Sequence, residues 1–429
     1  VRTFWANKRL DASSGDWWFG VRSCVRAGPD AAAALEARWD PAGAGVMGLS
    51  VRSLFDLWLT AQGWEPGDRI VFTAFTVADM PLIARRHGLE VAAVDIDPLT
   101  CEPDLDMLRA VVDERTRAVV YTHLFGARGE VDGALVIAHG AGARFVEDCA
   151  EAYCGPHWRG DPRSDLALFS FGPIKNATAF GGALARVADG DVRVEMRRRR
   201  SAMPRQPRRE YLARLVKLGG LAVATHPLVF RRLVRLLDAA GPGHDVVLNR
   251  LTRGFPGPDL LGRIRRRPPG AMVRLLDRRL AQGDATIARR VGPGEQLTAA
   301  LNGVAMPAGH ARERSYWLVP VLAPDPDALV RRLATSGFHA TRGRAFAVVE
   351  HDPGVVARAP VGARTLFEHG VFLPFAPQMP ARTIDELAAV VVGELARQER
   401  SGVAPAPDVS PAPASFGGGP AEPGSRRSA

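Results

Sequence analysis

The chain has 429 residues, 46% of them hydrophobic, and a formal net charge of +10. That length is too great for one compact core and points to a large domain with a smaller companion. The basic excess gathers in Arg197–Arg200, Arg205–Arg209 and Arg263–Arg267. These read as solvated faces, and no aromatics interleave them as a nucleic-acid stacking surface requires, so no nucleic-acid partner is expected.

The segment Val1–Leu10 has no apolar signal core, and no apolar run reaches the roughly 18 residues of a membrane span. The four cysteines, Cys24, Cys101, Cys149 and Cys154, lack zinc spacing, so no metal is expected; they suit a reducing cytoplasm. From Arg69 to Val187 strand-like and helix-like pieces alternate. Arg69–Phe72 follows the turn Glu65-Pro66-Gly67-Asp68. A helix over Met80–His87 stops at Gly88. Glu90–Val94 is a short apolar strand, Leu105–Val112 has helical spacing, and Ala118–Thr122 is β-branched and aromatic. Gly133–His139 is helical. Arg144–Val146 and Asp165–Phe171 are strands ending near Asp148 and Gly172. The alternation predicts βαβ units and an α/β fold with a mainly parallel sheet, whose ligands bind beyond the carboxyl ends of the strands.

Residues 190–268 form a basic insert. Tyr211–Leu218 and Leu228–Leu237 have amphipathic helical spacing broken near Pro227, with Leu212, Leu215, Val216, Leu233, Val234 and Leu237 as the expected buried stripes. Packing on the same chain or a dimer partner is the expectation; an anionic membrane surface facing Arg208, Arg209, Arg214, Arg231, Arg232 and Arg235 is the alternative. From about Ala281 a second unit begins, a small α+β domain over 291–400. Its expected elements are strands at Trp317–Leu322 and Phe346–Val349 and helices at Asp325–Ser336 and Thr383–Arg397. Residues 401–429, rich in Pro, Gly, Ala and Ser, read as a disordered tail.

Two residues stand where chemistry is expected. Lys175 follows an apolar strand within Phe169-Ser170-Phe171-Gly172-Pro173-Ile174-Lys175-Asn176. Asp148 ends the preceding strand. A lysine amine and a carboxylate are what pyridoxal 5′-phosphate (PLP) chemistry needs, one to form a Schiff base and move a proton, the other to keep the pyridine nitrogen protonated. By themselves they also fit a surface lysine and a helix N-cap.

Several ordered segments narrow the choice. Val94-Asp95-Ile96-Asp97, Tyr121-Thr122-His123-Leu124-Phe125-Gly126, Val146-Glu147-Asp148-Cys149-Ala150-Glu151-Ala152 and Phe169-Ser170-Phe171 through Lys175-Asn176 resemble, in this order, the motifs of the DegT/DnrJ/StrS family of PLP-dependent sugar aminotransferases. Trp317–Val321 and Leu373-Pro374 are similar to its C-terminal part. The resemblance covers about residues 30–190 and 290–395.

It implies PLP-dependent transferase fold type I: a large sheet domain over 1–290 and a small α+β domain over 291–400. It further implies Lys175 as the Schiff-base lysine, Asp148 on the pyridinium nitrogen, Ser170 on the phosphate, Ser50 at the start of the phosphate loop, and Glu151 near the ring hydroxyl, where the family has glutamine. The substrates implied are an amino-acid donor, typically glutamate, and a nucleotide-linked keto-sugar, in a homodimer.

The loop Ser50-Val51-Arg52-Ser53 departs from the family pattern. Val51 replaces a glycine, and Arg52 replaces a threonine and is expected to bind phosphate directly. Val77 stands where a stacking aromatic is usual, leaving Phe75 as its substitute. Asn249 and Arg253 are loose counterparts of a segment whose neighbourhood contributes across the dimer. These departures leave a second reading, a PLP-fold protein with lost or altered catalysis. A third, a sugar dehydratase of the same fold, expects histidine where Lys175 stands.

Overall fold

The computed structural model describes residues 4–6, 10–26, 31–227, 229–230, 259–343 and 345–402. Its centre is a seven-stranded sheet in the order Gly45–Gly48, Ala183–Val187, Leu166–Ser170, Arg144–Asp148, Thr116–Thr122, Arg69–Thr73, Glu90–Val94. All neighbouring pairs are parallel except those of Ala183–Val187, which runs against both its neighbours.

Alternation along each strand sends side chains to two different cores. Ile70, Phe72, Val120 and Leu168 meet the helices Val51–Gln62 and Asp79–Arg86 on one face. On the other face, Val71, Val119 and Phe145 meet Leu105–Val111 and Asp132–Gly140, while Ala167 and Phe169 meet the helical layer of Ser14–Val25, Arg208–Ala224 and Gly270–Leu280. The result is an α/β/α sandwich.

A further core lies under the antiparallel pair Val319–Leu322 and Gly370–Leu373, covered by the helices Ala285–Ala300, Pro326–Ser336 and Ala381–Arg400. The strand expected at Phe346–Val349 is instead a two-residue pairing of Ala347–Val348 with Phe75–Thr76, beside the main sheet. Phe346 stacks on Phe75 at 5.0 Å between ring centroids.

The first amphipathic segment of the insert is a longer helix, Arg208–Ala224, and it packs on its own chain. Its buried stripe differs from the expected one. Tyr211, Leu215, Leu218 and Leu221 face inward, while Val216 is 58% exposed. The phase is set by the helix Ser14–Val25, whose Trp17 donates its indole N–H to the Leu215 carbonyl (2.7 Å) and lies against Gly219. Arg214 turns toward the Phe180 carbonyl (3.3 Å), away from the solvent role given it in the membrane alternative. The second segment lies outside the described residues apart from Val229 and Phe230; Asn249, Arg253 and all but the first two residues of the expected tail lie outside them too. Among the described residues no helix is long and apolar enough to cross a membrane.

Candidate active site

The parallel strands deliver Thr122, Asp148 and Ser170 to one edge of the sheet. Thr122 is the register partner of Asp148. Ser170 and Gly48 both pair with Ala183, from opposite sides. Ser50, two residues beyond Gly48, therefore opens the helix Val51–Gln62 at the edge where Ser170 ends its strand. Gly48 is required there, because a Cβ would lie 2.5 Å from Leu54 Cγ and push the helix off the sheet. The Ser50 side chain accepts the Ser53 N–H (3.2 Å) as the helix N-cap, and the first-turn N–H groups give this end a partial positive charge.

Asp148 is buried, and Oδ1 accepts the Ala150 N–H at 3.0 Å. Irregular chain follows it rather than a helix, so it caps none. Burial pushes its carboxyl above the usual range, with the Ala150 N–H, Lys175 and Arg52 opposing. The adjoining carboxylate, Glu147, points to the other face. It takes a hydrogen bond from the Ser164 hydroxyl (2.6 Å) and pairs with His123 Nε2 at 2.9 Å. Gly129 N–H fills His123 Nδ1 (3.1 Å), so Nε2 is the donor to Glu147. Cys149 Sγ lies in the same cluster. With both ring nitrogens of His123 occupied, the group braces the strand that carries Asp148.

Lys175 sits in the turn after Ser170. Nζ lies 3.3 Å from Glu151 Oε1 and 3.6 Å from the centroid of the Trp317 ring. Glu151 Oε2 accepts the N–H of Phe125, a buried residue with φ +59°. Burial lowers the Lys175 proton affinity and Glu151 partly restores it; burial raises that of Glu151 and Lys175 opposes.

The turn is tied down on every side. Ala177 N–H donates to Asp11 Oδ2 (2.8 Å), Tyr211 hydroxyl to the Ala179 carbonyl (2.7 Å), and Trp317 Nε1–H to the Ile174 carbonyl (2.6 Å). Ala177 and Phe180 hold left-handed backbone conformations, strain that these contacts sustain.

Trp317 reaches this place because its segment is laced to the loop beside Glu151. Ser315 N–H donates to the Gly126 carbonyl (2.7 Å) and Leu318 N–H to the Phe125 carbonyl (3.2 Å). Gly126, at φ +89°, permits the approach, since a Cβ would stand 2.6 Å from the Trp317 nitrogen. Buried Arg290 secures the segment from below through the Ser315 and Tyr316 carbonyls (3.1 and 2.7 Å). The strand expected from Trp317 accordingly starts at Val319.

The structure thus groups Lys175, Asp148 and Glu151 and sets Ser50 and Ser170 along the same edge. Arg52 is close enough for its charge to act on Lys175 and Asp148. It is not free, however, because Nε donates to Asp79 Oδ2 at 2.5 Å. Phe75 is no substitute stacking residue; it is buried in a cluster with Phe125 and Phe346. The aromatic face at the lysine belongs to Trp317, whose segment resembles the family's C-terminal part but carries nothing that ties it to Lys175.

Residues 53–219 match the model of the DegT/DnrJ/EryC1/StrS aminotransferase family. A pleiotropic regulatory protein of Geobacillus stearothermophilus is 36% identical over 126 residues, 29% of this chain and 34% of the relative. The dTDP-3-amino-3,4,6-trideoxy-alpha-D-glucose transaminase of Micromonospora megalomicea subsp. nigra is 30% identical over 206 residues, 46% of this chain and 54% of the relative. The matches span about a third to a half of these relatives' length.

The solved aminotransferase TlmJ from Streptoalloteichus hindustanus superposes with a TM-score of 0.67 over 92% of this chain and 100% of its own, at 18% identity. Aminotransferases of this family and fold are PLP-dependent. Residues 53–219 are thus similar to the DegT/DnrJ/EryC1/StrS aminotransferase family, and the chain as a whole has the fold of the solved aminotransferases.

Proposed function

We propose that this chain is a PLP-dependent aminotransferase that passes an amino group from an amino acid, glutamate foremost, to a nucleotide-linked keto-sugar, working as a homodimer. The observation that carries this reading is the amine of Lys175, enclosed with two buried carboxylates at the carboxyl edge of a parallel sheet. The donor set suits PLP. A second oxygen of Asp148 has no hydrogen-bond donor among the described residues, which suits a cationic ring nitrogen. The helix N-terminus at Ser50, the Ser170 hydroxyl and Arg52 suit a phosphate. Bound there, PLP supplies a carbonyl that condenses with amines and a ring that withdraws electrons.

The chain's own residues do the rest. Lys175 takes and returns a proton at Nζ, Asp148 holds positive charge on the ring nitrogen, and Trp317 with the loop 315–318 keeps water from the amine. The sugar substrate is inferred from what the Micromonospora relative is named for.

A second reading, a PLP-binding protein with altered catalysis, is favoured by the Arg52–Asp79 tie in the phosphate loop and by a regulatory protein among the relatives. One experiment separates the two. The full chain is loaded with PLP, reduced with borohydride and mapped by mass spectrometry. The label is expected on Lys175 and absent from Lys175→Ala; a label on Lys217 in that variant refutes the assignment. Unreduced protein is then mixed with glutamate. Bleaching of the visible absorbance supports amino transfer, and stable PLP without bleaching supports the second reading.

A further inference from the structure

The Lys175 amine is confined by four groups from three parts of the chain. Glu151 Oε1 lies 3.3 Å from Nζ, and the Trp317 ring covers it at 3.6 Å. Asp148 and Arg52 are the other charged groups that act on it. The Lys175 and Glu151 side chains are only 16% and 6% exposed, and Glu151 is held at its far oxygen by the Phe125 N–H.

In such a place an ion pair and its neutral counterpart, an amine beside a carboxylic acid, carry the same net charge. Loss of water penalises only the ionic form. Arg52 favours release of the lysine proton, while Asp148 and the Trp317 face favour its retention.

We propose that Glu151 is the proton acceptor for Lys175. The N–H bond at Nζ breaks, its electron pair stays on nitrogen, and the proton moves to Glu151 Oε1. A neutral, nucleophilic amine is left beside a neutral acid, with no exchange with water, and the reverse transfer restores the ammonium. This role rests on the reading of Lys175 as the reactive amine of the site. It gives Glu151 work that a neutral amide at this position could not do, because glutamine cannot take up the proton.

The consequence appears in the pH dependence. A lysine that loses its proton to water gains neutral amine tenfold per pH unit below its own pKa. A pair that passes the proton internally keeps a constant neutral-amine fraction as long as it holds one proton between its two members. The test uses the full chain freed of bound carbonyl compounds and the small probe formaldehyde with cyanoborohydride. Methylation rates are measured at Lys175 and, in the same digest, at Lys217 across mildly acid to neutral pH.

In the wild type the Lys175 rate relative to Lys217 is expected to fall about tenfold per pH unit, because only Lys217 follows the pH. In Glu151→Gln the two rates are expected to run parallel. Parallel profiles in the wild type overturn the proposal, and that comparison stands even if the variant fails to fold. A flat wild-type profile that persists in a folded Glu151→Gln also overturns it. Failure of the underlying reading shows separately, as a borohydride-fixed PLP label on a lysine other than Lys175.

Discussion

Asp16→Asn tests how the buried charges behind the site contribute to it. Asp16 closes the capping box of the helix Ser14–Val25, with the Ser13 N–H and hydroxyl on Oδ2 at 3.1 and 2.7 Å. The same oxygen takes Arg279 Nη1 at 2.8 Å, and Oδ1 takes Arg278 Nε at 3.0 Å and Gln282 Nε2 at 3.1 Å. Asp16 and Arg279 side chains are each 2% exposed. Burial alone would raise the Asp16 pKa, but the Ser13 hydroxyl, Arg279 and Arg278 together bring it from 3.8 down to about 2.

A fall of that size corresponds to roughly 2.5 kcal/mol at neutral pH. Because Arg278 stands partly in water, about 2 kcal/mol is the working figure. A carboxyl depressed on folding stabilises the protein above its unfolded pKa, near 4. That contribution is lost as pH falls from about 4 toward 2. Asp16→Asn should therefore lower the thermal midpoint at neutral pH by roughly 2–3 °C, and the gap to wild type should close as the pH falls through that window. Arg279 also donates to the Asp11 carbonyl at 2.5 Å, and Asp11 holds the Ala177 N–H two residues beyond Lys175, so looser PLP retention should accompany the loss. Equal midpoints at neutral pH, or a gap unchanged by acid, would refute the reasoning.

Two further outcomes are expected. Arg52→Ala should weaken PLP affinity by about 1.5–3 kcal/mol, the range of a charge-assisted hydrogen bond, in equilibrium dialysis; unchanged affinity would mean that the Asp79 tie holds Arg52 away from the phosphate. Leu215→Ala, at a fully buried position, should cost about 2–5 kcal/mol in chemical denaturation, and Val216→Ala, at an exposed one, within about 0.5 kcal/mol; equal costs would contradict the helix phase described above.

The contrast between Leu215 and Val216 also shows where the sequence stops being informative. The strands from Arg69 to Thr122 were readable because their β-branched and apolar runs are bounded by turns, and each was found within a few residues. The phase of Arg208–Ala224 was not, because several rotations of that helix present an apolar stripe, and Trp17 and Gly20 of a distant helix choose among them. A local signal for that partner did exist: Ser13 and Asp16 have the spacing of a capping box, and they start the helix Ser14–Val25.

The candidate site divides in the same way. Asp148, Glu151, Ser170 and Lys175 lie within one stretch whose ordered motifs single them out as candidates, and parallel pairing then brings them to one edge. The surroundings that set their chemistry come from far along the chain. Trp317 reaches the Ile174 carbonyl across 143 positions of sequence, and Arg290 secures it through carbonyls that carry no side-chain signature. Arg52 illustrates the limit from the other side. Its place in the first turn of Val51–Gln62 was legible, but its tie to Asp79 depends on how the helix Asp79–Arg86 packs against Val51–Gln62. A motif can therefore name the groups that react, while the proton affinity of each is fixed by burial and by neighbours that only the fold assembles. For Lys175 and Glu151, both displaced toward neutrality by the same enclosure, that assembled environment decides whether the amine is ready to react.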